Sequence, residues 1–267
     1  MRQQIDRTWW FKLNALLRRL HVTGMPGFRH AHLVVTEYPK SGGTWLSQML
    51  SGTSGLPYPR SRLPLRRPAI MHGCFLDVGE CNRKVVLYRD GRDVMVSYYF
   101  HTLMPNALKS SQHVTKLRRE FGFADVEDVV RNLPPFMERC FARELYPRFT
   151  WAEFVRRWID DPNVISTRYE WLHADAFASM RALLDALDYA HVSDAHLWDV
   201  IEAYRFERVS GRSPGSESVS SFARKGVVGD WRSRFNAESR ELFAHHAGDE
   251  LIRLGYEVDH GWVSRDS

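Results

Sequence analysis

Residues 32–38 (HLVVTEY) form a β-branched, apolar run that halts at Pro39, after which the chain reads KSGG and then TWLSQMLSG. The run predicts a buried strand, and the residues after the turn predict a helix opening with Thr44 and closing near Gly52. Strand, glycine turn and helix in immediate succession leave few folds available, because the helix must pack back onto the sheet within a handful of residues. The same junction has a chemical consequence. Two adjacent glycines, Gly42 and Gly43, let backbone N–H groups approach an anion. The following helix adds its unpaired first-turn amides and the positive end of its dipole. Ser41 and Thr44 supply hydroxyl donors, and Lys40 a compact ammonium. An ordinary strand–helix turn also tolerates a Gly-Gly pair, so the turn alone leaves both readings open.

Further along, residues 84–89 (KVVLYR) read as a second strand, followed by DGRD and a helix over 94–104. Residues 151–159 read as helix and 163–169 (NVISTRY) as another strand. Helical patterns follow at 174–187, 194–207 and 238–254. Residues 57–68, rich in proline and arginine, and the polar stretch 211–221 read as loops. Strands alternating with helices predict a mainly parallel sheet covered on both faces, with ligands at the carboxyl ends of its strands. No internal repeat is present. The expected organisation is an N-terminal amphipathic helix and linker over residues 1–27 and one domain over residues 28–267.

The 267 residues are 44% apolar, 26% charged and 13% aromatic, the composition of a globular chain. No apolar run reaches the ~20 residues of a spanning helix. The formal charge of +5 favours an anionic ligand or surface, and only six of the 37 cationic side chains are lysines. No zinc-finger or RNA-recognition signature accompanies that charge, and nucleic acid is not expected as a partner. Three cysteines (Cys74, Cys81, Cys140) without a CxxC pair indicate reduced thiols and a cytoplasmic location. A zinc site on His72, Cys74 and Cys81 would lack a fourth ligand, and no metal is expected. Trp9, Leu13, Leu16, Leu17 and Leu20 share a helical face flanked by Arg7, Lys12, Arg18 and Arg19. That face packs on its own domain or, as the alternative, residues 7–20 lie on an anionic membrane surface.

The turn differs from that of nucleotide triphosphatases, GxxxxGK[ST], whose lysine follows the glycines and whose next hydroxyl holds magnesium. Here Lys40 precedes them, and Gly43 leads into Thr44 and Trp45, so a metal-free phosphate pocket is expected. At this point PKSGGTW resembles the 5′-phosphosulfate loop of the PAPS-dependent sulfotransferases, PKSGTTW or PKSGNTW, departing only at Gly43. VVLYRDGRDVMVSYY is similar to the family's 3′-phosphate segment and places Arg89 and Ser97 at the family's separation. FARKGVVGDW resembles the RKGxxGDW loop, giving Arg224, Lys225 and Gly226. VISTRYEWL resembles the strand whose tyrosine nears the adenine, giving Tyr169.

The resemblance implies a P-loop-like three-layer α/β fold, a central mainly parallel sheet flanked by helices. It implies PAPS (3′-phosphoadenosine 5′-phosphosulfate) as cosubstrate and PAP (3′,5′-adenosine bisphosphate) as product. Lys40, Ser41, Gly42, Gly43, Thr44 and Trp45 would hold the phosphosulfate end, with Trp45 against the adenine. Arg89, Ser97, Arg224, Lys225 and Gly226 would hold the 3′-phosphate, where guanidinium forks suit phosphate oxygens. His72, in AIMHG after an expected strand, stands where the family carries its general base. Lys40 would neutralise the leaving oxygen, and Ser97 would restrain Lys40. The acceptor would be a small-molecule, carbohydrate or lipid hydroxyl, or an amine, chosen by loops 56–68, 106–120 and 212–221. Alternatives are a kinase or NTPase-like protein, or a relative that binds PAPS or PAP without transfer. Ile70 replaces a lysine many members carry, and Tyr204 stands near an expected threonine. RSRFNAESRE replaces the family's dimerisation segment and leaves the oligomeric state open.

Overall fold

The computed structural model describes residues 13, 16–17, 32–60, 68–79, 81, 83–105, 111–213, 215–218 and 225–264. Of residues 7–20, only Leu13, Leu16 and Leu17 fall within that set, and they are helical; the membrane-contact reading otherwise lies outside the described residues.

In chain order the elements begin with β1 (Leu33–Glu37), α1 (Gly43–Ser54), β2 (Ile70–Gly73), β3 (Arg83–Tyr88) and α2 (Gly91–Leu103). Then come α3 (Ser111–Phe121), α4 (Val129–Phe141), α5 (Trp151–Trp158), β4 (Ile165–Arg168), α6 (Tyr169–Ala174) and α7 (Ala176–Ala186). Last are α8 (Asp194–Ala203), α9 (Phe206–Ser210) and α10 (Ala237–Arg253), with 3-10 turns at Asp230–Ser233 and His260–Val263. The chain divides into two compact units. One comprises Met1–Glu37, Gly42–Leu87 and Asp161–Tyr204, the other Tyr38–Ser41, Tyr88–Asp160 and Arg205–Ser267.

The first unit carries the sheet, in the order β2-β1-β3-β4. β1 runs parallel to both neighbours, with Val35 opposite His72 and Val85. Every residue of β1 is buried, which accounts for its unbroken apolar run rather than an alternating one. Its core joins Leu33, Val35, Leu46, Leu50, Ile70 and Val85 to the helices α7 and α8. Thr36 sutures the carboxyl end of the sheet: its hydroxyl donates to the Phe75 carbonyl and accepts the Phe75 N–H, each at 3.0 Å. That double contact fixes the ends of β1 and β2 together, and with them Glu37 and His72.

The second unit is helical. Arg92 is fully buried, yet its guanidinium meets Asp90 at 2.7 Å and Glu257 at 2.6 Å and stacks 3.8 Å from the centre of the Trp231 ring. Pairing of this kind is what lets a charge sit in a core. Gly91 is required for close approach, because a Cβ there would lie 2.6 Å from Phe243 and 2.7 Å from Trp151.

Several expectations are revised in detail. Residues 111–120 of the stretch read as an acceptor loop lie in helix α3. Pro134 and Pro135 argue against a helix, but Val129, Leu133, Phe136, Met137 and Cys140 bury one face of α4 and override that preference. The helix expected over 194–207 breaks after Ala203 and resumes at Phe206. His72 lies within β2 rather than after a strand, and Tyr169 opens α6 instead of ending β4.

Candidate active site

In the first unit, β1 delivers Glu37 and the parallel β2 delivers His72 beside it. His72 Nε2 lies 2.9 Å from Glu37 Oε1, and His72 Nδ1 lies 3.0 Å from the Tyr58 hydroxyl. The other carboxylate oxygen accepts the Gly43 N–H at 2.5 Å, so it caps the first residue of α1. An anionic oxygen at a helix N-terminus satisfies an orphan donor and the dipole together. Gly42 adopts φ 103°, a left-handed conformation that favours glycine, and a Cβ on it would lie 2.8 Å from the Tyr169 ring. Trp45 is half-buried; its indole N–H donates to the Tyr204 carbonyl at 3.0 Å, and its ring meets Tyr169 edge-on at 5.9 Å. Gly42, Gly43, Thr44, Trp45, Tyr169 and His72 are thus brought together with Tyr204, which contributes its backbone oxygen. Ile70 is buried in β2.

In the second unit, Lys40 adopts φ 75°, uncommon for a residue with a side chain. Its carbonyl accepts Arg89 Nη1 at 3.0 Å, and Arg89 Nη2 reaches the Val227 carbonyl at 3.4 Å. Arg89 therefore ties the first half of the turn to the loop carrying Lys225 and Gly226. Asp93, in the first turn of α2, accepts the N–H groups of Gly229 at 2.7 Å and Trp231 at 3.0 Å. Burial pushes the Asp93 carboxyl above its ordinary value, against the opposing pull of Arg89 and those two amides. Lys225 pairs with Asp230. Gly226 is left-handed at φ 63°, and its missing Cβ makes room for Phe206. Ser97 is half-buried on α2. Arg224 lies outside the described residues.

Ser41 is 1% exposed, and its hydroxyl has no hydrogen-bond partner among the described residues. A hydroxyl at that point of a glycine turn is a donor as well as an acceptor. The cysteine chemistry is quiet by contrast. Burial raises the Cys140 and Cys81 thiols, which disfavours thiolate at either.

Glu37, Tyr58 and Asp93 are absent from the sequence-derived set. Glu37 left a signal, as the one charged side chain of β1, ahead of a cationic turn. Asp93 left a weaker one, within DGRD.

These features define an α/β protein with a glycine-bearing turn between β1 and α1. The family model described as Sulfotransferase domain matches residues 79–255, and the chain belongs to the sulfotransferase family. Sulfotransferase 1E1 of Bos taurus is 26% identical over 271 residues, covering 82% of this chain and 83% of the relative. Sulfotransferase 1A1 of Bos taurus is 24% identical over 282 residues, covering 85% and 86%. Among solved structures, mouse sulfotransferase SULT7A1 complexed with PAP superposes with a TM-score of 0.62 at 19% identity, covering 88% of this chain and 89% of that one. Retinol dehydratase in complex with androsterone and PAP gives 0.60 at 18%, covering 90% and 85%. The fold is the P-loop-like α/β fold of these proteins, a central parallel sheet flanked by helices, as the sequence implied. Among the described residues no helix is long and apolar enough to cross a membrane.

Proposed function

We propose that this sulfotransferase moves a sulfuryl group from PAPS to the hydroxyl of a small molecule by metal-free in-line displacement, with residues 28–267 as the transferase domain. The observation that carries the reading is the turn after β1, where the Ser41 and Thr44 hydroxyls flank a left-handed Gly42 at the start of α1. That donor set fits a phosphosulfate, and PAPS when bound supplies the sulfuryl group and a phosphate leaving group.

The chain's own residues do the rest. Ser41, Gly42, Gly43, Thr44 and Trp45 form the turn that holds the 5′ end through hydroxyls and amides, with Gly43 giving room rather than a donor because its N–H is bound to Glu37. Lys40 places its ammonium to neutralise charge on the departing oxygen. Arg89, Ser97, Arg224, Lys225 and Gly226 hold the 3′-phosphate, while Trp45 and Tyr169 flank the base. His72 removes the proton of the acceptor hydroxyl. Androsterone and retinol, found in solved relatives, are apt first members of an acceptor panel.

Calorimetric titration with PAP tests the cofactor reading. Saturable binding supports it, and no heat at millimolar PAP overturns it. Transfer of label from PAPS to an alcohol panel, with and without a chelator, tests the reaction. Label that appears only with added divalent metal would remove the metal-free route.

A further inference from the structure

β1 is buried throughout and ends on Glu37, which is 6% exposed. A carboxylate at that depth needs donors, and it has two: the Gly43 N–H on Oε2 and His72 Nε2 on Oε1. An ionised carboxylate only accepts hydrogen bonds, so the facing Nε2 must carry a proton. The lone pair of the neutral ring then lies at Nδ1, where it accepts the Tyr58 O–H at 3.0 Å. The opposite tautomer would set the Nε2 lone pair against the carboxylate. Gly43 completes the arrangement. A Cβ at that position would lie 2.4 Å from His72 Nε2 and 2.7 Å from Glu37 Cδ. The pair can form only while residue 43 has no side chain, which gives the departure from PKSGTTW a physical cause.

We propose that Glu37 is a positioning residue for the transfer: it holds His72 in the Nε2–H form, makes Nδ1 the proton-accepting atom, and offsets the imidazolium that results. The proposal rests on His72 being the base, as read above. Its proton step balances within the site. The acceptor O–H bond breaks, the proton passes to Nδ1 in place of the Tyr58 hydroxyl, and the Nδ1–H bond forms. The new positive charge on the ring lies one hydrogen bond from the Glu37 carboxylate. A carboxylate behind a histidine fixes tautomer and orientation and stabilises the charged ring, so its removal lowers turnover rather than binding.

The test begins with the unaltered full chain. Long-range proton–nitrogen NMR of the histidine side chains should show His72 as the Nε2–H tautomer when neutral, and a Nδ1–H tautomer overturns the proposal. In Glu37→Leu that preference should be lost. Glu37→Gln removes the charge and offers one oxygen to two donors, the Gly43 N–H and Nε2, and should lower kcat about 10- to 100-fold while acceptor KM and PAP affinity stay within about threefold. Glu37→Asp should recover part of the loss. Full kcat in Glu37→Gln, or a change confined to PAP affinity, overturns the proposal. If Glu37→Gln does not fold, the wild-type tautomer and Glu37→Asp decide. His72→Ala separates the two readings: wild-type turnover there removes the base itself, whereas an inactive His72→Ala beside a fully active Glu37→Gln removes only the role of Glu37.

Discussion

Apart from the buried Arg92 cluster of the second unit, the charged residues of the candidate site serve different ends in the two compact units. In the first, Glu37, His72 and Tyr58 meet side chain to side chain, and Glu37 also accepts the Gly43 amide. In the second, Arg89 and Asp93 hold backbone: two carbonyls for the arginine, two amides for the aspartate. Side-chain clusters of the first kind can change protonation during a reaction cycle. Contacts of the second kind fix where loops stand, and their loss registers first as stability. The difference teaches that charge near a ligand site is not by itself evidence of chemistry. The Arg89 guanidinium, placed by resemblance on the 3′-phosphate, already shapes the protein through Lys40 and Val227.

The comparison breaks most readily at His72. His72→Ala should reduce transfer from labelled PAPS by ~100-fold or more, the usual loss for a general base, with PAP affinity retained. A variant within a few-fold of wild type would leave the first unit with no chemical distinction over the second.

Gly43→Thr sharpens the same contrast by restoring the family's side chain. Its Cβ would meet Nε2 and the Glu37 carboxyl carbon well inside contact distance, so the pair must separate or the turn must shift. Overpacking of this kind costs about 1–3 kcal/mol, and turnover should fall with it. A Gly43→Thr protein with unchanged thermal midpoint and turnover would show that the Glu37–His72 pair does not need the space.

Asp93→Asn carries the test into the second unit. A carboxamide offers one oxygen where two amides need acceptors, and it turns its own NH2 toward the other. One buried N–H is left unsatisfied, at a cost of about 1–3 kcal/mol. Denaturant unfolding should show that loss, and PAP affinity should weaken as residues 225–231 lose their anchor, while kcat at saturating cosubstrate changes little. A large fall in kcat with stability intact would erase the distinction between the units.

The strand–turn–helix junction was legible because its signals are local: a β-branched run, a proline stop and two glycines. His72 was reachable only through resemblance, since a histidine after two apolar residues has no spacing of its own. Glu37 was hidden because its partners, Gly43 and His72, lie 6 and 35 residues away, and parallel pairing of β1 with β2 brings the distant one into reach. Helix α4 was obscured by Pro134 and Pro135, whose local cost is outweighed by packing no window of sequence displays. Arg89 was legible as a cation but not as a tie, because backbone carbonyls leave no trace in side-chain patterns.

The smallest effect lies away from the proposed site, in a charge that supports backbone alone. Thr150 and Glu153 form a capping box at the start of α5, and Glu153 also pairs with Arg143. Burial pushes the Glu153 carboxyl up, but the Thr150 N–H and the Arg143 guanidinium outweigh it and hold it below its ordinary 4.5. A carboxyl that is more acidic folded than unfolded stabilises the fold fully above the unfolded value, and that contribution disappears as pH falls through the lowered one. Glu153→Gln keeps the box geometry and removes the charge. Because the pair is largely solvent-exposed, the loss at neutral pH should be only about 0.5–1 kcal/mol. The stability difference between wild type and Glu153→Gln, measured by urea unfolding from pH 7 downward, should stay constant to about pH 5 and then shrink. A difference that grows on acidification would reverse the sign and show that burial, not the pairing, dominates this carboxyl.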